Sequence, residues 1–279
     1  MTGSGGLVGG AIMEELRSLG LAHFGLTRQG INLAESLPLE NALDIVPEKI
    51  VHLAACVPNS GRYPDNLASA NLTRKIDQNV YRAARRWGSQ VLYFSTCLLY
   101  DRNNPDQKDE TSPVQADRRS PYSAAKLEGE ELFGQLDDAK VVRLSAPVAA
   151  EAPPNLVFNR FVCGAVRSET LQVFGSGSRR QNFIDVADVA SFVPKALRMG
   201  EPGVYNLVAD ESLNMLELAT RIVSVVGSGS VRVLGSSKPD PLEGEHAFFT
   251  NAKAKAQLDW APMVSLEEMI FRLARAYGL

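Results

Sequence analysis

Tyr122 and Lys126 stand four residues apart in the stretch SPYSAAKLEGEEL, which puts both side chains on one face of a helix. A tyrosine is a useful base near neutral pH only if its pKa falls from about 10 toward 7, a shift worth roughly 4 kcal/mol. A lysine ammonium beside it stabilises the phenolate and contributes to that shift. Thr96, in FSTCLLYD, would offer a hydroxyl to the substrate oxygen whose proton Tyr122 moves. Taken alone, Tyr-x-x-x-Lys reads as an accidental helical pair. Its weight comes from what precedes it in the chain.

The chain opens MTGSGGLVGG, with Gly3, Gly6 and Gly9 three residues apart. One glycine would make a tight turn, one would let backbone approach a pyrophosphate, and one would let a helix pack closely on a sheet. The helix amides that follow, at Leu7 and Val8, would face the phosphates with the positive end of the dipole. A lone glycine triplet reads equally well as a structural turn, but a helix and then a strand follow this one. The spacing therefore predicts a dinucleotide site, and a positive nicotinamide would add to the lysine's effect on Tyr122. The next strand ends Leu26-Thr27-Arg28 without a carboxylate. An acid there would bond the ribose 2′-hydroxyl of NAD, whereas an arginine accommodates the 2′-phosphate of NADP. The sequence thus leaves NADP or NAD open and favours NADP, with Asn32 and Leu33 placed to border the adenine.

These residues need a frame. Segments 22–27, 49–55, 90–95 and 139–144 are short, apolar and β-rich, as buried parallel strands should be. Helical patterns lie between them at 10–19, at 65–87 and from Ser120-Pro121, a good N-cap followed by proline at the first helical position. Such alternation predicts an α/β fold, a Rossmann-like doubly wound parallel sheet. Further on, LQVFGSGS reads as a strand and turn, NFIDV as a strand, and VYNLV (204–208) as the last strand of the sheet. A helix over 214–226, a strand over 231–234 and a helix over 265–277 complete a smaller C-terminal part. The expected division gives residues 1–145 plus 181–208 to the dinucleotide-binding domain, and residues 146–180 plus 209–279 to a substrate-binding domain.

Composition removes other classes. A net charge of −3 without a block of like charge argues against a nucleic-acid or membrane-surface role. Three scattered cysteines give neither a disulfide framework nor a CxxC signature, and three histidines without helical partners give no metal site. No apolar run approaches the ~20 residues needed to cross a bilayer, so a cytoplasmic protein is expected.

The ensemble resembles the extended short-chain dehydrogenase/reductases of the nucleotide-sugar epimerase, dehydratase and reductase family. TGSGGLVGG, HLAA (52–55), Asn71, FSTCLLYD, PYSAAK, VFGSGSRRQNFIDVADVA (173–190), VYNLVAD and LDWAPMVSLEE match it in order, over essentially the whole chain. The resemblance implies a hydride-transfer enzyme with Thr96 as hydroxyl donor, Tyr122 as base and Lys126 as its partner, Ser95 being the fallback for Thr96. Tyr122 and Lys126 would also touch the cofactor, which Ala54 and Ala55 would line. Asn155, Phe174 and Arg180 would meet a nucleotide-sugar substrate, and a homodimer is expected from family habit. The acidic pair of the dehydratases is replaced by Cys97 and Leu98, which argues against dehydration. The epimerising histidine of the GDP-fucose synthases is absent or stands as Asn155, and Gln181 replaces an arginine usual before NFIDV. An epimerase and a 4-ketoreductase both remain open, as does a non-catalytic cofactor sensor on the same fold. Met1 is expected to stand where relatives have the valine of Val-Thr-Gly, with the true start upstream. In that reading most of a central strand, between 22–27 and 90–95, is missing and the sheet centre is weakened.

Overall fold

A computed structural model describes residues 1–35, 39–58, 63–117, 120–152 and 154–279, which include all the candidate site residues. Helix α1 (Leu7–Ser18) follows the glycine run, and a short helix α2 (Leu39–Ala42) precedes strand β1 (Lys49–His52). Helix α3 (Leu67–Trp87), strand β2 (Gln90–Thr96), helix α4 (Pro121–Phe133) and strand β3 (Ala139–Leu144) continue the alternation. Then come β4 (Ala146–Val148), α5 (Val157–Val166), β5 (Thr170–Val173), β6 (Arg180–Asp185) and α6 (Val186–Ala196). The chain ends with β7 (Gly203–Leu207), β8 (Ser212–Asn214), α7 (Met215–Val226), β9 (Ser230–Val233), α8 (Ala252–Leu258) and α9 (Leu266–Ala276).

Strands β1-β2-β3-β7 form a parallel sheet in that order, as a doubly wound fold requires. Their alternation divides the core. Val51, Leu92, Phe94 and Val142 face α1 and α6, with Ile12, Leu16, Val189 and Val193. Ile50, Val91, Tyr93 and Val141 face α3 and α4, with Val80, Ala83, Ala84 and Phe133. A separate apolar cluster joins α5, α7 and α9 through Phe158, Val162, Leu218, Ile222, Ile270 and Leu273. Beside it, β4-β6-β8 and β5-β9 make two smaller sheets.

Two sequence expectations are corrected at the sheet's other edge. Segment 22–27 is no strand: its parallel pairing is a single bridge from Leu26 to Thr2, and Thr2 bridges His52 on its other side. The backbone there is tied by Leu26 N–H to the Met1 carbonyl (2.7 Å), Ser4 N–H to the Leu26 carbonyl (3.3 Å) and Thr2 N–H to the Val51 carbonyl (3.0 Å). A ladder needs a partner along its length, and Met1 and Thr2 supply two residues. The neighbour of Met1-Thr2 is also β1, not the strand over 90–95, which lies one strand further out. LQVFGSGS is a strand and turn as expected, and its strand β5 pairs in parallel with β9, at Thr170 with Ser230 through Val173 with Val233.

Candidate functional site

The glycine loop lies between the ends of segment 22–27 and β1. Gly3 has φ +70°, and a Cβ there would sit 2.9 Å from Ala54 N, so both backbone and space require glycine. A Cβ on Gly9 would come 2.2 Å from the Gly3 carbonyl oxygen, which is the close packing of α1 on the loop. At Gly6 the same atom would meet only Gly3 O, at 3.4 Å, an ordinary contact. The protein itself does not require glycine at that position. Gly6 is the N-cap of α1 and makes no side-chain cap hydrogen bond, so the first-turn amides, Leu7 and Val8 included, keep their anion-binding capacity. A shallow, uncapped cradle of this kind fits a dinucleotide pyrophosphate.

On either side of the cradle lie the other predicted contacts. Ala54 N–H donates to Thr2 Oγ1 at 3.2 Å, and Ala54 and Ala55 are half-buried. Arg28 is exposed, and its Nη1 donates to the Tyr63 hydroxyl at 2.7 Å. Asn32 Nδ2 donates to Glu35 at 2.7 Å, and Leu33 is buried in the α3/α4 core. Leu33 thus serves packing as well as any adenine contact. No carboxylate stands at the end of segment 22–27.

The three candidate residues Thr96, Tyr122 and Lys126 stand at the end of β2 and in the first turns of α4. Thr96 ends β2, and its Oγ1 accepts from Leu98 N–H (3.2 Å), starting a 3₁₀ turn. Helix α4 is capped twice: Ser123 N–H donates to Ser120 Oγ at 3.2 Å, and Tyr122 N–H donates to Asp65 Oδ1 at 2.9 Å. These bonds fix the first turn on which Tyr122 sits. Lys126, one turn on, is 2% exposed, and its Nζ lies 4.0 Å from the centroid of the Tyr93 ring. Ser95 is not free to replace Thr96, because its hydroxyl donates to Glu130 Oε1 at 2.5 Å in the interior. Cys97 donates to the Arg143 carbonyl (3.2 Å), and burial pushes its thiol well above the usual range. It is a small buried residue rather than an acid or base.

By the protein's own groups alone, the Tyr122 phenol shifts upward. Burial first, then the carboxylates of Asp77 and Asp65, push the phenol above its ordinary value, and Lys126 does not offset them. Burial likewise lowers the Lys126 ammonium, opposed by Asp77 and Glu130.

Sequence reasoning missed the polar cluster beneath this pair. His52, 1% exposed, contacts Thr2 Oγ1 through Nδ1 (2.7 Å) and Asp77 Oδ1 through Nε2 (3.0 Å), and Tyr93 donates to Asp77 Oδ2 at 2.8 Å. A buried charge among apolar positions of a helix, Asp77 between Ile76 and Val80, is the signal that could have marked it.

The substrate candidates are more scattered. Asn155 is exposed in the turn before α5, and Phe174 is half-buried after β5 with Lys238 Nζ 4.1 Å above its ring. Arg180, at the start of β6, donates to the Ser212 carbonyl and lies 3.9 Å from Glu217. Arg179 instead pairs with Asp240 at 2.9 Å. Lys238 was not foreseen, since the loop carrying it meets Phe174 only through the fold.

The sequence pattern of the family described as "NAD dependent epimerase/dehydratase family" matches residues 1–207. The chain belongs to this family. Probable GDP-L-fucose synthase 1 of Oryza sativa subsp. japonica is 25% identical, over 99% of this chain and 90% of that protein. UDP-glucuronic acid decarboxylase 1 of Danio rerio is 27% identical over 81% of this chain and 56% of its own length. The chain spans little more than half the length of the decarboxylases it matches. Among solved structures, UDP-glucose 4-epimerase of Thermus thermophilus in complex with NAD superposes with TM-score 0.81 at 20% identity, covering 99% of this chain and 97% of that one. RMD from Pseudomonas aeruginosa complexed with NADPH gives TM-score 0.82 at 18% identity, with the same coverage. These likenesses establish the epimerase-family fold, and both NAD and NADPH occur among its neighbours. Among the described residues, no helix of this family member is long and apolar enough to cross a membrane.

Proposed function

We propose that this chain is an NAD(P)-dependent enzyme that moves a hydride at C4 of a nucleoside-diphosphate sugar, as an epimerase or a 4-ketoreductase. The observation that carries the reading is Lys126. It is a buried lysine with no ion pair within 4.0 Å among the described residues, one turn from Tyr122. A buried cation without a carboxylate partner costs stability unless function uses it. The dinucleotide, when bound, supplies or takes up the hydride. Tyr122 Oη gives a proton to the sugar oxygen or takes one from it, Thr96 Oγ1 holds that oxygen, and Lys126 holds charge beside the phenol. Gly3, Gly6, Leu7, Val8 and Gly9 would bind the pyrophosphate, with Ala54 and Ala55 beside them. Asn155, Phe174 and Arg180 would meet the sugar nucleotide, between the 1–145/181–208 part and the 146–180/209–279 part. The UDP- and GDP-sugar names of the relatives support this substrate class.

One observation favours the reductive direction with NADPH: Arg28 stands with Tyr63 where a carboxylate would select NAD. Dehydration finds no support, because Cys97 is sealed against Arg143 and Leu98 is apolar. The test is NADPH oxidation, followed by its absorbance, with a nucleoside-diphospho-4-keto sugar, for wild type and Tyr122→Phe. Equal rates would sink the catalytic reading and leave a cofactor sensor. Tightly bound NAD in the purified protein would favour the epimerase, and reversible NADPH binding the reductase.

A further inference from the structure

Lys126 raises a question that the Tyr-Lys pair does not answer: what keeps its ammonium charged and aimed in an interior without a carboxylate partner? Its Nζ stands 4.0 Å above the Tyr93 ring centroid, within the range of a cation–π contact, which is strongest where water is excluded. The Tyr93 hydroxyl donates to Asp77 Oδ2 (2.8 Å), and the His52 Nε2 proton fills Oδ1 (3.0 Å). His52 then accepts at Nδ1 from the Thr2 hydroxyl (2.7 Å), which also accepts from Ala54 N–H (3.2 Å). Every member of this chain is satisfied with His52 neutral, and burial, opposed by Asp77, holds the imidazole below its ordinary pKa. The register places the row: Thr2 bridges His52, and His52 is the pairing partner of Tyr93.

Helix α4 is built around this contact. A Cβ on Gly129 would lie 1.9 Å from the Tyr93 hydroxyl oxygen and 2.8 Å from Asp77 Oδ2. Only glycine, three residues after Lys126, admits the Tyr93–Asp77 hydrogen bond. An aromatic face holds an ammonium without consuming its N–H donors, whereas a direct carboxylate would take one or two of them. The Lys126 donors not turned toward the ring stay available to a neighbouring oxygen such as a ribose hydroxyl.

We propose that Tyr93, anchored by Asp77, is the positioning residue of Lys126: a π-faced counter-ion platform that keeps the ammonium charged and its donors free. This inference rests on the hydride-transfer reading above. The charged and titratable groups around the ammonium are Asp77 from α3, His52 from β1, Tyr93 from β2, and Tyr122 and Glu130 from α4 itself. Glu130 is closed by Arg143 of β3 at 2.7 Å, Asp65 sits at the start of α4, and the Met1 amine acts on His52.

The test reads Lys126 directly, by NMR titration of ¹³C-labelled lysine ε-methylenes in the intact protein, with the resonance assigned by its loss in Lys126→Met. Asp77→Asn removes the charge and keeps hydrogen-bonding capacity, since His52 can change tautomer. Tyr93→Leu removes the face, and Tyr93→Phe keeps the face but loses the anchor. The Lys126 midpoint is expected to fall by about one pH unit in Asp77→Asn and in Tyr93→Leu, and by less in Tyr93→Phe. If Tyr93→Leu does not fold, Asp77→Asn and Tyr93→Phe decide. The same variants should move the alkaline limb of the hydride-transfer pH profile toward acid by the same amount, a change that a purely structural role would not produce. An unmoved Lys126 midpoint in the folded variants overturns the inference. Wild type without hydride transfer at any pH would instead sink the proposed function, and the lysine titration would still judge the platform.

Discussion

Two buried polar networks lie side by side on the α3/α4 face of the sheet, and they treat charge in opposite ways. One turn of α4 separates them: Lys126 belongs to the first and Glu130 to the second. Glu130 is closed. Arg143 Nη2 and Nε reach its oxygens at 2.7 and 3.0 Å, Ser95 donates to it at 2.5 Å, and Arg143 Nη1 donates to Tyr100 at 2.9 Å. Tyr100 passes the chain on to Asn206 (2.7 Å), so β2, β3 and β7 are tied across one register row, Ser95 with Arg143 and Arg143 with Asn206. Lys126 is open. It faces a ring instead of a carboxylate, and the acid beyond that ring, Asp77, is occupied by His52 and Tyr93. The closed network ties three strands in register, whereas the open one leaves an ammonium against a ring with no carboxylate partner among the described residues.

The largest expected effect breaks the open side alone. Tyr122→Phe removes the proposed proton carrier and should lower the proposed hydride transfer about 10²–10⁴-fold. Thermal unfolding should stay near wild type, because the substitution keeps the ring and its packing. A large loss of melting temperature in this variant would mean that Tyr122 belongs with the structural network.

Arg143→Ala breaks the closed side. It strands the Glu130 carboxylate, 9% exposed, and should destabilise the fold by about 3–5 kcal/mol, the cost of removing one partner of a buried ion pair. Denaturant unfolding measures it. A loss below about 1 kcal/mol would show that the pair is solvated like a surface bridge. Replacing Glu130 and Arg143 together by apolar residues should recover much of the loss, which separates desolvation from register.

Between the networks sits Gly129. Gly129→Ala gains helix propensity, yet its methyl would overlap the Tyr93 hydroxyl. A net destabilisation of about 1–3 kcal/mol is expected, the range for overpacking a filled interior. Stabilisation would indicate that Tyr93 moves aside freely, and the Lys126 platform would then be loose.

Of the open side the sequence made Lys126 legible but not His52, Asp77 or Tyr93, and little of the closed side could be read. Tyr122 and Lys126 could be read because helix spacing is local, and so could the glycine triplet and the Ser120-Pro121 cap. Amphipathic spacing also marked α3, whose N-cap Asn66 accepts from Ser69 N–H at 2.9 Å. Segment 22–27 misled because alternation and β-propensity report what a segment can do, while a ladder depends on a partner of matching length. Helices α5 and α6 passed unnoticed for local reasons: prolines crowd the approach to α5, and α6 carries Pro194 inside it. Among site residues, His52, Asp77 and Tyr93 meet only because β1 and β2 pair and α3 crosses them. Their separations in the chain, 25 between His52 and Asp77 and 16 between Asp77 and Tyr93, hold no periodic signal. Phe174 was legible as an aromatic after a strand, but the Lys238 ammonium above it arrives from a distant loop.

The smallest effect tests whether the open network is also tuned for its neutral state. His52 has a folded pKa below its ordinary 6.5 because burial outweighs the pull of Asp77. Between those two values the unfolded chain binds more protons than the folded one, so stability rises with pH through that window. The contribution is fully present above about pH 6.5 and is lost as the solution becomes more acid, with a slope of at most about 1.4 kcal/mol per pH unit. Protonation would also take the Nδ1 lone pair from the Thr2 hydroxyl, loosening the glycine loop where Ala54 meets Thr2. Urea unfolding from about pH 7.5 to about pH 5 should therefore show a decline that His52→Gln flattens, with dinucleotide binding weakening over the same range. The Glu130–Arg143 network has no histidine and should leave that slope unchanged when it is replaced by apolar residues. An acid slope that follows Arg143 variants rather than His52 variants would reverse the assignment of the two networks.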